Sequence, residues 1–330
     1  MNRTEALKSN RPAQVSIIIP ARNEEKSLGA LLASLQSLDF PRDKFEVVVV
    51  DHESTDRTAE IALTAGARVV KKSGGNISSA RNFGASQAAG QILAFLDADC
   101  TVAEDWLSRA VVHFASPEVG AVGSYHIIPL DPPTWVRIVL QKQAAARPKL
   151  ANATWLPSGN MLIRREVFLE CNGFDESLGT CEDVDLSYRI TKKYRLIADS
   201  NIRCWHHREP ASLLQLFRKE LWRGRDNLSG AFRHGLRLAE IPSLVLPLYV
   251  IVTFVLFLLS PAIAVLSGWG TLTSIFLFAA AFVLPVVAWA AMVTYRSGDL
   301  RYLPHLTAFY GVYFFARGLA AFYRPGRLQG

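Results

Sequence analysis

The residues best suited to chemistry in this chain of 330 are carboxylates, each placed where an apolar run ends. VSIII runs into Pro20-Ala21-Arg22-Asn23-Glu24-Glu25, EVVVV into Asp51-His52-Glu53-Ser54-Thr55-Asp56, and QILAFL into Asp97-Ala98-Asp99-Cys100. Asp97 and Asp99, at i and i+2, can share one hard cation, or divide between a cation and a ribose hydroxyl. A further acidic group, Glu182-Asp183-Val184-Asp185, opens an amphipathic stretch, where acids at a helix N-terminus also complement the backbone dipole. Asp56 and Asn23 each read equally well as helix caps. With Lys71-Lys72-Ser73-Gly74-Gly75-Asn76 after a further run, four polar strand ends together on one rim are harder to explain as caps alone.

The elements that must hold these groups follow from periodicity. Val15–Ile19, Glu46–Val50, Ala67–Val70 and Gln91–Leu96 are continuous apolar runs rich in β-branched residues, separated by amphipathic stretches at Glu24–Leu38, Asp56–Ala65 and Ile77–Ala89. Strands buried on both faces and joined by helices predict an α/β fold with a mostly parallel, Rossmann-like sheet. Ligands of such sheets sit beyond the carboxyl ends of the strands. The first turn carries neither G-x-G-x-x-G nor G-x-x-x-x-G-K-[ST], which removes the main support for dehydrogenase and kinase chemistry. No G-x-S-x-G elbow is present, so Ser78 and Ser79 read as a helix start.

Composition divides the chain. Half its residues are hydrophobic and its formal charge is +7, but between Ile241 and Tyr295 there is no Asp, Glu, Lys or Arg. That stretch amounts to roughly 80 Å of helix, enough for two crossings of a ~30 Å hydrocarbon core. Ser267-Gly268-Trp269-Gly270 reads as the turn between them. Tyr302–Tyr323 is a third apolar segment, spanning or re-entrant, in which Arg317 and His305 are expected to snorkel. Arg223, Arg225, Arg233 and Arg237 before the first span, with Arg296 and Arg301 after the second, predict a multi-pass inner-membrane protein whose N-terminal domain is cytoplasmic. The polar start MNRTEALKSNRPAQ contains no apolar signal-peptide core. Cys100, Cys171, Cys181 and Cys204 form no C-x-x-C pair, which argues against a structural zinc site or a disulfide framework. The basic excess before the membrane suits anionic headgroups, and no nucleic-acid-binding motif accompanies it.

In order, VSIIIPARNEE, VVVVDHESTDRT, GGNISSARNFGASQAAGQILAFLDADC and LPSGNMLIRREVF…GFDESLGTCEDVDLSYRI resemble the family 2 glycosyltransferases of the GT-A fold, over roughly Val15 to Trp222. The resemblance implies that Pro20, Asn23 and Glu24 line the nucleoside pocket and that Asp51 accepts a hydrogen bond from the base. It puts Arg81 close to the base or diphosphate, Asp97 at the ribose or metal, and Asp99 on the divalent cation. Gly159 and Asn160 would lie under the donor sugar and acceptor, Asp183 would be the catalytic base, and His206, or its neighbour His207, would complete a Mg²⁺ or Mn²⁺ site.

The implied organisation is a tail at 1–14, a GT-A domain at 15–210, an amphipathic interfacial segment at 211–240 with Leu213, Phe217 and Leu221 on one face, and a transmembrane region at 241–330. For the segment Leu213–Trp222 an internal packing helix is the competing explanation. The implied activity is inverting transfer from a UDP- or GDP-sugar to a lipid-linked or membrane-surface acceptor, in surface polysaccharide or glycolipid synthesis. The sequence has KELWRGR where processive synthases have Q-x-x-R-W, which favours one or few additions. The rival readings are a nucleotide-sugar-binding membrane scaffold without turnover, and a transporter-like protein for which the spans hold too few polar residues.

Overall fold

The computed structural model describes residues 14–225, 241–297 and 299–322. They form two compact units that do not follow chain order, because residues 130–146 belong with residues 209–330 and the first unit comprises the remainder. A single boundary near residue 210 therefore does not describe the chain.

The first unit is built on an eight-stranded sheet of order β3-β2-β1-β4-β8-β6-β9-β7. Its strands are β1 (Val15–Ala21), β2 (Phe45–Asp51), β3 (Arg68–Lys71), β4 (Ile92–Leu96), β6 (Val119–Gly123), β7 (Leu150–Asn152), β8 (Asn160–Arg164) and β9 (Arg195–Asp199). β1 runs parallel to both β2 and β4, and its seven residues are all buried. Alternation sends Ile17 and Ile19 into one apolar cluster with Leu28, Leu31 and Trp106, and Ile18 into another with Phe95, Phe168, Phe174 and Leu186. Helices α1 (Leu28–Gln36), α2 (Thr58–Thr64), α3 (Ile77–Gln87), α4 (Trp106–Val111), α6 (Arg165–Glu170) and α7 (Glu182–Thr191) complete the unit.

Three pairings position the polar rim. Ala21 lies opposite Asp51, so the loops leaving β1 and β2 open side by side. The sheet turns antiparallel at β8, where Asn160 pairs with Leu96 and brings the Ser158-Gly159-Asn160 segment against Asp97. A separate two-stranded ribbon joins β5 (Cys100–Val102) to β10 (Cys204–His206), with His206 opposite Cys100.

The second unit is helical: α5 (Trp135–Ala145), α8 (Leu213–Arg223), and helices Ile241–Ser267, Thr271–Ser297 and Leu303–Ala320. The helices at Ile241–Ser267 and Thr271–Ser297 are long and apolar enough to cross a membrane. Between them Gly268 takes φ +72°, at the expected turn. The third apolar segment is a helix of 18 residues packed on both. A Cβ on its Gly318 would stand 2.3 Å from the Pro247 carbonyl oxygen, so this close approach needs glycine.

Two expectations are corrected in this unit. Arg317 does not snorkel: its Nε donates to Glu220 Oε2 at 2.8 Å, and Glu220 is 4% exposed. The helix α8 buries Leu216 and Glu220, not the face marked by Phe217 and Leu221, and packs against Leu303–Ala320 as the internal-packing alternative requires. His305 is exposed, its ring edge-on to Trp135 at 5.3 Å. Arg233, Arg237 and the tail at 1–13 lie outside the described residues.

Candidate active site

The β1 and β2 loops are held by each other. Asn23, at φ +54°, accepts the Thr55 N–H on its side-chain oxygen at 2.8 Å instead of capping α1, and its own N–H donates to Ser54 Oγ. Asp51 is buried and accepts the Ser54 N–H at 3.1 Å, tightening its own turn. Asp56 accepts the Thr58 N–H at 3.0 Å just ahead of α2, whose N-cap position is Arg57. Pro20 is buried within β1, opposite Val50. The Glu24 carboxylate is paired with the Arg208 guanidinium and the Ser27 hydroxyl. Positive φ at Asn23, Glu53 and Cys181 concentrates backbone strain in these loops, as at sites that hold side chains in set positions.

At the end of β4 the geometry departs from the expected role of Arg81. Its guanidinium is 3% exposed and bridges two carboxylates, donating to Asp97 Oδ1 and to Glu182 Oε1 at 2.7 Å each. Both terminal nitrogens are thus engaged by the protein, and Arg81 acts as a strut between β4 and the first turn of α7. Burial alone would raise the Asp97 pKa, but Arg81, with His206 and His126, outweighs it and holds the carboxyl below its ordinary range. Glu182 is correspondingly more than a dipole partner: it is buried and also accepts from Ser158 Oγ at 3.3 Å. Asp185 is committed to Arg189. Asp183, between them, is half-buried and accepts the Val184 N–H at 2.8 Å.

Asp99 Oδ1 lies 3.6 Å from His206 Nε2, whereas the ring of His207 turns to Thr101 Oγ1 at 2.8 Å. The ribbon register puts His206 opposite Cys100, beside Asp99. Two ligands ~2.1 Å from one cation stand ~3 Å apart when adjacent in an octahedron, so this pair fits a shared Mg²⁺ or Mn²⁺ with little movement. Arg208 Nε is 3.7 Å from Asp99 Oδ2 and completes the rim. Gly159 faces Asp97 so closely that a Cβ there would lie 2.4 Å from its Oδ2. The Asn160 side chain is not presented to a cleft: it is fully buried, accepting from Trp106 Nε1 at 2.8 Å and donating to Ser124 Oγ at 2.7 Å.

Sequence reasoning missed Arg208, His126 and the bridging role of Glu182. The His126 Nε2 lies 3.1 Å from the position of a Gly159 Cβ, and its ring is 5.0 Å from that of His206. Burial opposes its charged form, but the Cys100 sulfur and Asp97 outweigh that and raise its pKa to about 9. The residues before it, Gly-Ser-Tyr, carry no pattern that marks a site.

Residues 16–171 match the family described as glycosyl transferase family 2. This segment is a family 2 glycosyltransferase domain. The matched span of the glycosyltransferase domain includes Asp51, Asp97, Asp99 and Asn160, and ends before Asp183 and His206. A β-monoglucosyldiacylglycerol synthase of Synechocystis sp. is 41% identical over 118 residues, 33% of this chain and 24% of that protein. One from Nostoc sp. is 32% identical over 195 residues, 53% of this chain and 41% of that protein. The chain thus spans well under half the length of these curated relatives. The fold of the glycosyltransferase domain and its helices is similar to that of a mannosyltransferase from Pyrobaculum calidifontis, solved in complex with GDP-mannose and Mn²⁺. That likeness has a TM-score of 0.62 at 22% identity and covers 96% of this chain and 88% of that one.

Proposed function

We propose that the protein transfers a sugar, with inversion, from a nucleoside-diphosphate donor to a hydroxyl of a membrane-associated, lipid-linked acceptor. The observation that carries this reading is the linked set Asp99–His206 and Asp97–Arg81–Glu182, which ties a hard-cation donor pair to the helix turn bearing Asp183. The acceptor oxygen attacks the anomeric carbon while Asp183 takes its proton, and the bond from that carbon to the phosphate oxygen breaks. A divalent cation held by Asp99 and His206, with Asp97 beside it, would supply Lewis-acid stabilisation of charge on the departing diphosphate. Single displacement needs no second carboxylate as a nucleophile.

Asp51, Asn23 and Glu24 surround the mouth of the β1 and β2 loops, where the donor nucleoside would bind, with Pro20 shaping the strand end and Arg81 holding Asp97 in place. Gly159 leaves room beside Asp97, and Asn160 fixes that segment from behind. Relatives named as glycolipid synthases, and two helices apolar enough to span a bilayer, support an acceptor at the membrane surface. The basic flanks of the spans support a cytoplasmic domain at the inner membrane. The test supplies UDP- and GDP-sugars with vesicles carrying lipid acceptors, with and without Mn²⁺, and reads nucleotide release and the anomeric configuration of the product. Mn²⁺-dependent release with inverted product is expected for the wild type and is lost in Asp99→Ala. Nucleotide-sugar binding without turnover under every condition would favour a scaffold.

A further inference from the structure

Cys100, Cys204 and His126 come from three separate segments, yet one ligand atom from each lies within 4.8 Å of the others. Backbone pairing makes this so. β5 and β10 put both cysteines on one ribbon, and the chain after β6 runs alongside β10, with the Ile127 N–H donating to the Cys204 carbonyl at 2.8 Å and the His206 N–H donating to the Ile127 carbonyl at 3.1 Å. Both thiols are fully buried, and each sulfur lies 3.9 Å from the Gly159 carbonyl oxygen. Buried cysteines are usually small apolar fillers. The imidazole is what that reading leaves unexplained: among the described residues its buried Nε2 makes no hydrogen bond of ordinary geometry and faces the Cys100 thiol beside the Gly159 backbone. A bound ion would satisfy that nitrogen fully.

We propose that Cys100, Cys204 and His126 bind a thiophilic metal ion of the zinc class, at a site adjoining the hard-cation pair Asp99 and His206, whose ligand atoms also lie within 4.8 Å of the Cys100 sulfur. Sulfur and imidazole ligands of tetrahedral zinc stand roughly 3.5–4 Å apart, given ~2.3 Å to sulfur and ~2.0 Å to nitrogen, so the cluster needs only a small contraction. Two thiols select differently from the Asp99 carboxylate: soft sulfur takes Zn²⁺ or Cd²⁺, and oxygen takes Mg²⁺ or Mn²⁺. On binding, each cysteine gives up a proton and the His126 imidazolium gives up a third, so one M²⁺ enters as three H⁺ leave to solvent and the site ends neutral. The bound ion fastens the ribbon that carries Asp99 and His206, and so positions the cation site without contacting substrate. The proposal does not rest on the transfer reaction.

The test uses the full chain in detergent, stripped by chelator, with Cys171→Ser and Cys181→Ser so that only one pair of thiols remains. Cd²⁺ is titrated in the presence of excess Mg²⁺, and the ultraviolet sulfur-to-cadmium charge-transfer band is read. One Cd²⁺ per chain with a thiolate band is expected, retained in Asp99→Ala and abolished in Cys204→Ser. His126→Ala, which keeps both thiols, should weaken Cd²⁺ binding about tenfold or more. If Cys204→Ser does not fold by circular dichroism, Cys100→Ser and His126→Ala carry the test. No band in the parent protein, a band that survives loss of either thiol, or a Cys100–Cys204 disulfide found by mass spectrometry would overturn the proposal.

Discussion

The two units handle charge in opposite ways. In the first, ionic groups crowd the loop ends of one sheet and are cross-linked in chains, Asp97 to Arg81 to Glu182 and Asp99 to Arg208 to Glu24. In the second, no ionic side chain occurs from 241 to 295, and the buried charge sits between α8 and Leu303–Ala320, where Glu220 holds Arg317 at 2.8 Å and Arg223 at 3.5 Å, while Glu209 holds Lys219 at 2.9 Å and lies 4.0 Å from Arg223. A chained set in a half-open cleft fixes the positions of carboxylates while leaving some faces for a ligand. A network closed among helices satisfies itself and offers little chemistry. Burial of charge marks a site where the partners converge on an open rim.

That contrast can be broken by removing cations in turn. Arg81→Leu strips two carboxylates of their partner at once and is expected to destabilise the first unit by about 3–5 kcal/mol, read from denaturant unfolding in detergent. Arg317→Met should cost less, about 1–3 kcal/mol, because Arg223 still faces Glu220. If Arg317→Met proved the costlier change, the distinction between chained and closed charge would fail. Gly159→Ala probes the ligand side: its methyl group displaces the Asp97 carboxylate, so transfer should fall at least tenfold, while the unfolding midpoint drops by less than in Arg81→Leu.

The smallest effect belongs to the rim. Burial pushes the Asp105 pKa up, but Arg203 and Arg109 outweigh it and hold the carboxyl below its ordinary range. A carboxyl lowered in the folded state contributes stability above its unfolded pKa and loses it as pH falls through the folded value. Asp105→Asn should therefore cost under about 1 kcal/mol at neutral pH. The gap between parent and variant should start to close as pH falls below about 4, the ordinary carboxylate pKa, and vanish only below the lowered folded-state value, as measured by melting across pH.

The sheet and its rim were legible because β1, β2 and β4 are unbroken apolar runs that stop abruptly at polar residues. Strand ends such as Ile19 and Leu96 were placed within a few residues, and the carboxylates at 51, 97 and 99 followed directly. What escaped were contacts made by pairings distant in sequence. Arg81 meets Glu182 across 101 residues, and nothing local in SSARNFG distinguishes a strut from a phosphate ligand. The place of His206 beside Asp99 came from the β5–β10 register, and Asn160 was legible as part of a motif but not as a residue buried against Trp106. Residues 130–146 joined the helical unit without a compositional break to announce it. In the helices, a lone Arg in an apolar run has no visible partner until α8 supplies Glu220.

The most direct test of the central claim separates binding from chemistry at Asp183. In Asp183→Asn, donor affinity in Mn²⁺ measured by calorimetry should match the wild type, while transfer to acceptor falls about 10²–10⁴-fold. Transfer at the wild-type rate, or a loss of donor affinity as large as the loss of turnover, would contradict the assignment of the base.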